Sequence, residues 1–241
     1  MISLKNVTKK FGENKIAVNN ISIDVKDGEI FGFLGPNGAG KSTTIKMITG
    51  ILAPDSGDVL LNGIDIKKDP LKAKELFGYV SDDPNILLKL KGIQYLTFLA
   101  GVYGVPADVS RERIMSFAKK LEIDTVLGDR IESYSHGMRQ KIMLIGALVH
   151  NPKLWILDEP MTGLDPKSAF LLKNMMREHA DNGNTVLFST HVLDVAEKVC
   201  DRVAIIDKGN ILFCGSLSEL KNNLNEDKSL EQLFLELTSE D

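Results

Sequence analysis

Ile30-Phe31-Gly32-Phe33-Leu34 runs directly into Gly35-Pro36-Asn37-Gly38-Ala39-Gly40-Lys41-Ser42-Thr43, and the second run fills every fixed position of G-x-x-x-x-G-K-[ST]. The apolar residues before it read as a buried strand. Ser42 to Ile51 reads as a helix, with Ile45 and Ile48 as its buried positions and Gly50 near its end. A strand, a glycine loop and a helix start aim backbone N–H groups and a positive dipole end at one point, which suits a polyphosphate. Glycines at 35, 38 and 40 leave the loop free to approach such a ligand. Lys41 then reaches the β- and γ-phosphates, and Ser42 offers its hydroxyl to Mg²⁺. A plain glycine-rich turn before a helix is the alternative. With the whole pattern present in strand–loop–helix context, the stretch implies a nucleoside triphosphate site.

Upstream, Ile2-Ser3-Leu4 to Val7, Ile16-Ala17-Val18 and Ile21 to Val25 read as three short strands, the last an antiparallel edge before an Asp27-Gly28 turn. Phe11 falls in a Phe11-Gly12-Glu13-Asn14 turn, where an aromatic either packs or stacks on a base. Downstream, Pro54 to Gly57 is a turn before the strand Asp58 to Leu61, with Asn62-Gly63 a further turn. Leu76 to Val80 is a short strand ending at Ser81-Asp82. From Ile93 to about His150 the pattern is helical, which predicts a helical insertion over about 85–150. Strands then alternate with helices: Trp155 to Leu157, Lys167 to Ala180, Thr185 to Phe188, His191 to Val199, and Val203 to Ile206. Continuous apolar strands between helices predict an α/β fold with a mainly parallel sheet covered on both faces. Polar helical patterns around Asn225 to Lys228 predict a short helical extension over 221–241.

Composition narrows the function. With 241 residues, 43% of them hydrophobic, the chain can bury a full core. A net charge of −4 gives no broad basic surface and argues against a nucleic-acid partner. Cys200 and Cys214 lack CxxC spacing and read as buried free thiols of a reducing cytosol. Met1-Ile2-Ser3 enters a strand-like run, which predicts no secretory signal. No apolar stretch approaches the ~20 residues that cross a bilayer. Any membrane role therefore comes through another chain.

Two further strand ends carry chemistry. Leu154 to Leu157 ends in Asp158-Glu159, and Thr185 to Ser189 ends in Thr190-His191. Parallel α/β sheets place ligands at strand carboxyl ends. Asp158 suits Mg²⁺ and Glu159 an attacking water, while His191 suits the γ-phosphate. Farther back, Tyr134-Ser135-His136-Gly137-Met138 opens a helix with Ser135 as N-cap, and Met138, Ile142, Ile145 and Val149 at helical spacing.

In order and spacing, the phosphate loop, Tyr79 to Asp82, Tyr134 to Met138, Asp158-Glu159, Gly163-Leu164-Asp165 and Thr190-His191 resemble the ATP-binding subunit of ABC transporters over residues 2 to about 220. Tyr-Ser-x-Gly-Met resembles that family's signature sequence. The resemblance implies a phosphate-loop NTPase core, an N-terminal antiparallel β-subdomain and an inserted helical subdomain. It implies ATP and Mg²⁺ as ligands, transmembrane permease subunits as partners, and a second ATPase subunit, homodimeric or paralogous. The location implied is the cytoplasmic face of the membrane. Two ATP lie between subunits facing head to tail, each held by one chain's phosphate loop and the other's signature. Glu159 is then the general base, with Lys41 and His191 at the γ-phosphate. Phe11 stacks on adenine, and Val18, Gly35, Asn37, Gly38, Ala39, Gly40, Ser42 and Thr43 complete the nucleotide set. Ser135 and Gly137 reach across the interface, Ser42, Asp82 and Asp158 hold the metal, and Asp165 lies in the loop that crosses the dimer.

The chain departs from the family pattern at named positions. Asp82 stands where glutamine is usual, Tyr134 replaces leucine, His136 the first of two glycines, and Met138 glutamine. The Tyr and Met variants resemble export-type transporters with separately encoded membrane proteins. A soluble ATPase of the same family acting in translation or DNA maintenance is the alternative, but such proteins carry tandem cassettes or a long coiled coil. A non-hydrolysing regulatory module is a third reading, opposed by Lys41, Glu159 and His191.

Overall fold

The computed structural model describes residues 1–12, 15–85, 87–224 and 234. A four-stranded antiparallel sheet is built from β1 (Ile2–Phe11), β2 (Lys15–Val25), β4 (Ser56–Leu61) and β5 (Ile64–Asp65), in the order β2-β1-β4-β5. The three opening strands expected are two long ones. Asn6 and Asn20 adopt φ of 51°, and the register slips beside Asn6, between Leu4 and Val7. Their side chains bond to each other at 3.1 Å. The bulge interrupts the apolar alternation without ending the strands, which is why the pattern reads as separate pieces. Phe11 closes β1 rather than occupying a turn; Glu13 and Asn14 lie outside the described residues.

The second sheet has six strands in the order β10-β9-β3-β8-β7-β6. These are β3 (Ile30–Leu34), β6 (Phe77–Val80), β7 (Leu154–Leu157), β8 (Thr185–Thr190), β9 (Arg202–Asp207) and β10 (Asn210–Ser216). All neighbours pair in parallel except β9 with β10. The central strands are buried on both faces, so alternate residues serve different cores. On β7, Leu154 and Ile156 pack with Phe31, Phe33 and the antiparallel sheet. Trp155 and Leu157 point the other way, towards the helices.

Helices fill the crossovers: α1 (Lys41–Ile48), α2 (Pro70–Glu75), α6 (Pro166–Asp181) and α7 (Leu193–Val199). Between β6 and β7 run α3 (Gly92–Val102), α4 (Ala107–Lys120) and α5 (His136–Leu148). The helix α5 sits so close to β6 that a Cβ at Gly78 would collide with the Ala147 carbonyl. β5, α2 and β10 carry too little apolar signal to be read beforehand; β10 is an edge strand with half-exposed residues. Cys214 is correspondingly exposed and Cys200 half-buried, both free thiols, so the expectation of two buried thiols is wrong for Cys214. The last element among the described residues is α8 (Leu217–Leu224). The patterns around Asn225 to Lys228 lie outside the described residues. No helix among the described residues is long and apolar enough to cross a membrane.

Two histidines lie within this packing. His150 stacks on Tyr103 at 3.7 Å with its Nε2 at 3.2 Å from the Phe77 carbonyl, and burial lowers its pKa to about 4. His179 meets Trp155 edge-on at 5.8 Å and is lowered to about 4 by the same cause. The unfolded chain, with histidines near 6.5, binds more protons than the folded one between these values. Stability is therefore full above pH 6.5 and is lost as pH falls towards 4. Thermal denaturation across that window should show a falling Tm, and His150→Gln/His179→Gln should flatten the slope.

Candidate active site

Parallel pairing aligns the strand ends. Leu34 is paired with Thr190 across β3 and β8, while Leu157 is paired with Phe188 on one side and Val80 on the other. The residues that follow each strand therefore emerge along one edge of the sheet: the phosphate loop, His191, Asp158-Glu159, and Asp82. This is where an open α/β sheet accepts ligands.

The loop after β3 is shaped by steric limits. Gly40 holds φ of 113°, and a Cβ at Gly35 would strike the Ile206 carbonyl. No side chain caps α1 among the described residues, and no acid occupies its first turn. Its first N–H groups and positive dipole end are left for an anion. Lys41, only 5% exposed, donates to the Gly35 carbonyl at 2.7 Å and the Pro36 carbonyl at 3.1 Å. Its Nζ also lies 3.3 Å from Glu159 Oε1 as an ion pair.

Glu159 is held on three sides. Besides Lys41, its Oε2 meets His191 Nδ1 at 2.9 Å, and its backbone N–H donates to Ser189 Oγ at 2.9 Å. Its φ of 47° is a strained conformation for a residue with a side chain. Ser189 Oγ in turn donates to Asp158 Oδ1 at 2.6 Å, and Ser42 Oγ donates to the same oxygen at 3.1 Å. Asp158 is fully buried, and its Oδ2 has no partner among the described residues. Burial pushes its pKa up against the two serine bonds, and the charges of Asp82 and Glu159 add to the rise. A buried carboxylate with an idle oxygen beside a serine hydroxyl is the donor set of a hard cation. No group of three or more His, Cys, Asp or Glu spaced for a metal exists among the described residues. A cation here needs Ser42 and ligand oxygens as well.

Phe11, Lys15, Ala17, Pro36, Asn37, Gly38, Gly40, Lys41, Ser42, Thr43, Asp82 and Glu159 line an open cleft of about 270 Å³. Phe11 is 44% exposed at its rim. Val18 does not face the cleft. It is fully buried beneath the loop, with its Cγ2 near Gly40, because alternation along β2 turns Ala17 outward instead. Ala39 is likewise buried.

Ser135 and Gly137 lie outside the cleft, at the start of α5. Ser135 Oγ accepts from Met138 N at 3.3 Å, and Tyr134 is buried with its hydroxyl on the Val126 carbonyl at 2.6 Å. Asp165 caps α6, accepting from Ser168 N at 2.9 Å and from Ser168 Oγ at 2.6 Å. Those bonds hold its carboxyl below the usual range. Ser189, Ala17 and Lys15 were not foreseen. A serine at the end of a strand carries no motif, and only its pairing beside β7 reveals what Ser189 holds.

A family model described as ABC transporter matches residues 18–162, from β2 past Glu159. The chain is 35% identical over 231 residues to the linearmycin resistance ATP-binding protein LnrL of Bacillus subtilis (strain 168), an alignment covering 96% of this chain and 74% of that one. A solved ATP-binding subunit of an ABC transporter superposes with a TM-score of 0.93 at 30% identity, over 98% of this chain and 99% of the other. A dimeric ATP-binding cassette in a post-hydrolysis state, bound to ADP and Pi, superposes at 0.80 with 28% identity, over 90% and 99%. Fold, sequence and the chemistry of the sheet edge thus agree: the chain belongs to the ABC transporter family, as an ATP-binding subunit with ATPase activity.

Proposed function

We propose that this ATPase drives export through separate transmembrane permease subunits at the cytoplasmic face of the membrane. Two ATPase subunits would close head to tail on two ATP. The observation that carries the reading is Glu159, held between Lys41 and His191 at the end of β7. Export is supported by the resistance function named for the Bacillus relative.

In this reading Lys41 exchanges Glu159 for the γ-phosphate, and the first N–H groups of α1 receive the β-phosphate. Ser42, Asp158 and Asp82 would hold Mg²⁺, whose charge offsets that of the phosphates. Glu159, freed from Lys41 but still bonded to His191, accepts a proton from water. The water oxygen bonds to the γ-phosphorus as the bond to the β–γ bridging oxygen breaks, giving ADP and phosphate. Ser189 fixes both acids by accepting from Glu159 N and donating to Asp158. Ser135 and Gly137 supply the second anion contact to the partner's nucleotide, and Phe11 stacks on adenine at the rim.

A groove lined by Ile51, Tyr79, Tyr95, Leu99, Tyr103 and His150 opens beside β6, the strand that runs into the segment after Asp82. Ile51 in the groove is strongly exposed, as are Phe98 and Val102 on the same helix as Tyr95 and Leu99, apolar side chains suited to the permease. Arg139 Nη1 donates to Asn85 Oδ1 at 2.6 Å, linking that segment to the first turn of α5. Movement of a docked permease would reach the signature by this bond.

Glu159→Gln should lower kcat by ~10³-fold, the scale of a lost general base. With MgATP, size-exclusion chromatography with light scattering should find it as a dimer; a persistent monomer would contradict the sandwich. Asp82→Gln should raise turnover severalfold and change its dependence on the permease, and unchanged values would remove any role for Asp82. Ser189→Ala should reduce kcat or apparent Mg²⁺ affinity by about 10- to 100-fold, as lost outer-shell bonds do, measured by steady-state phosphate release.

A further inference from the structure

His136 is exposed, yet its ring is not free. It lies over Gly163, where a Cβ would collide with the imidazole Cδ2 and come within 2.6 Å of Nε2. Beside it, a Cβ at Gly137 would come within 3.0 Å of the Gly163 carbonyl. The first turn of α5 and the segment after Glu159 are therefore interlocked, and Gly163, at φ of 76°, supplies a backbone that a side chain would obstruct. A second link lies deeper, where Gln140 Nε2 donates to the Pro160 carbonyl at 3.4 Å.

Within the segment, two successive turns join Glu159 to Leu164. Thr162 N donates to the Glu159 carbonyl at 3.2 Å and Leu164 N to the Met161 carbonyl at 3.3 Å. The end of this segment that rests under His136 is thus four residues from the carboxylate paired with Lys41. A family member with glycine at position 136 has no side chain to make this contact.

We propose that His136 is a positioning residue for hydrolysis. Seated on Gly163, it couples the signature turn to Glu159 of the same subunit. In the head-to-tail sandwich, on which this inference rests, the signature meets the nucleotide held by the partner. Closure on one ATP would then set the base at the other, and the two sites would act cooperatively.

The test uses the full chain. The wild type should hydrolyse ATP with a Hill coefficient well above 1. His136→Ala should bring that coefficient to about 1 and lower kcat about tenfold. Binding of a fluorescent ATP analogue to the dilute single chain should not change, because position 136 does not line the cleft. His136→Gln, whose planar amide still covers Gly163, should restore most of the cooperativity.

Gly163→Ala closes a double-mutant cycle. Its backbone strain enters both arms and cancels in the coupling, so its effect on kcat should be larger beside His136 than beside Ala. Additive effects would mean that His136 acts without Gly163, and would overturn the proposal. An unchanged Hill coefficient and kcat in His136→Ala would overturn it too, as would an equal loss of nucleotide affinity in the single chain. If Glu159→Gln forms no dimer with MgATP, the sandwich itself is overturned; if it dimerises while His136→Ala behaves as wild type, only this inference fails.

Discussion

The strand-end residues of the site depend on the in-register parallel pairing of β3, β8, β7 and β6. A one-residue slip of a strand buried on both faces would exchange its two sets of apolar side chains, such as Trp155 and Leu157 against Leu154 and Ile156. The cores on either side of the sheet differ in what they can accept, so the packing forbids the slip. The same register places Leu34, Thr190, Leu157 and Val80 level with one another. Residues from Gly35 to His191 are gathered at one edge by this pairing, with hydrophobic complementarity fixing its register.

Within that frame the polar network is small and closely linked. One hydroxyl, that of Ser189, accepts from the strained Glu159 backbone and donates to the buried Asp158. A hydrogen bond to a charged group contributes more than a neutral one, and a buried acceptor left unmet is costly. The arrangement shows why the two acids behave differently despite being adjacent. Asp158 is buried below the cleft, bonded to Ser42 and Ser189 with one oxygen idle, whereas Glu159 faces the cleft between Lys41 and His191.

Much of this could be read in the sequence because it depends on local pattern. A glycine loop with Lys-Ser behind it, continuous apolar strands, and acids directly after a strand each carry their own signal. What escaped depended on pairing or on alternation broken by bulges. Asn20 splits β2 into two apparent pieces, β10 is too exposed to show an apolar face, and Ser189 has meaning only beside β7. Val18 shows the opposite failure. Resemblance assigned it to the nucleotide, but strand geometry turns its side chain into the core and presents Ala17. The position was near the site and the face was wrong.

The Lys41–Glu159 ion pair has a consequence for the end of the cycle. A lysine buried at the base of an anion site would hold a product phosphate strongly if nothing else competed for it. Here a carboxylate of the same chain stands 3.3 Å away and remains tethered to His191. In the proposed cycle, once the bond to phosphate is broken, that carboxylate can reclaim the lysine at high local concentration, without any diffusive step. The group proposed to activate water would thereby also be an internal competitor for the departing product. On that reading the cleft carries the means of its own resetting, and the departing phosphate would not leave an unneutralised cation behind.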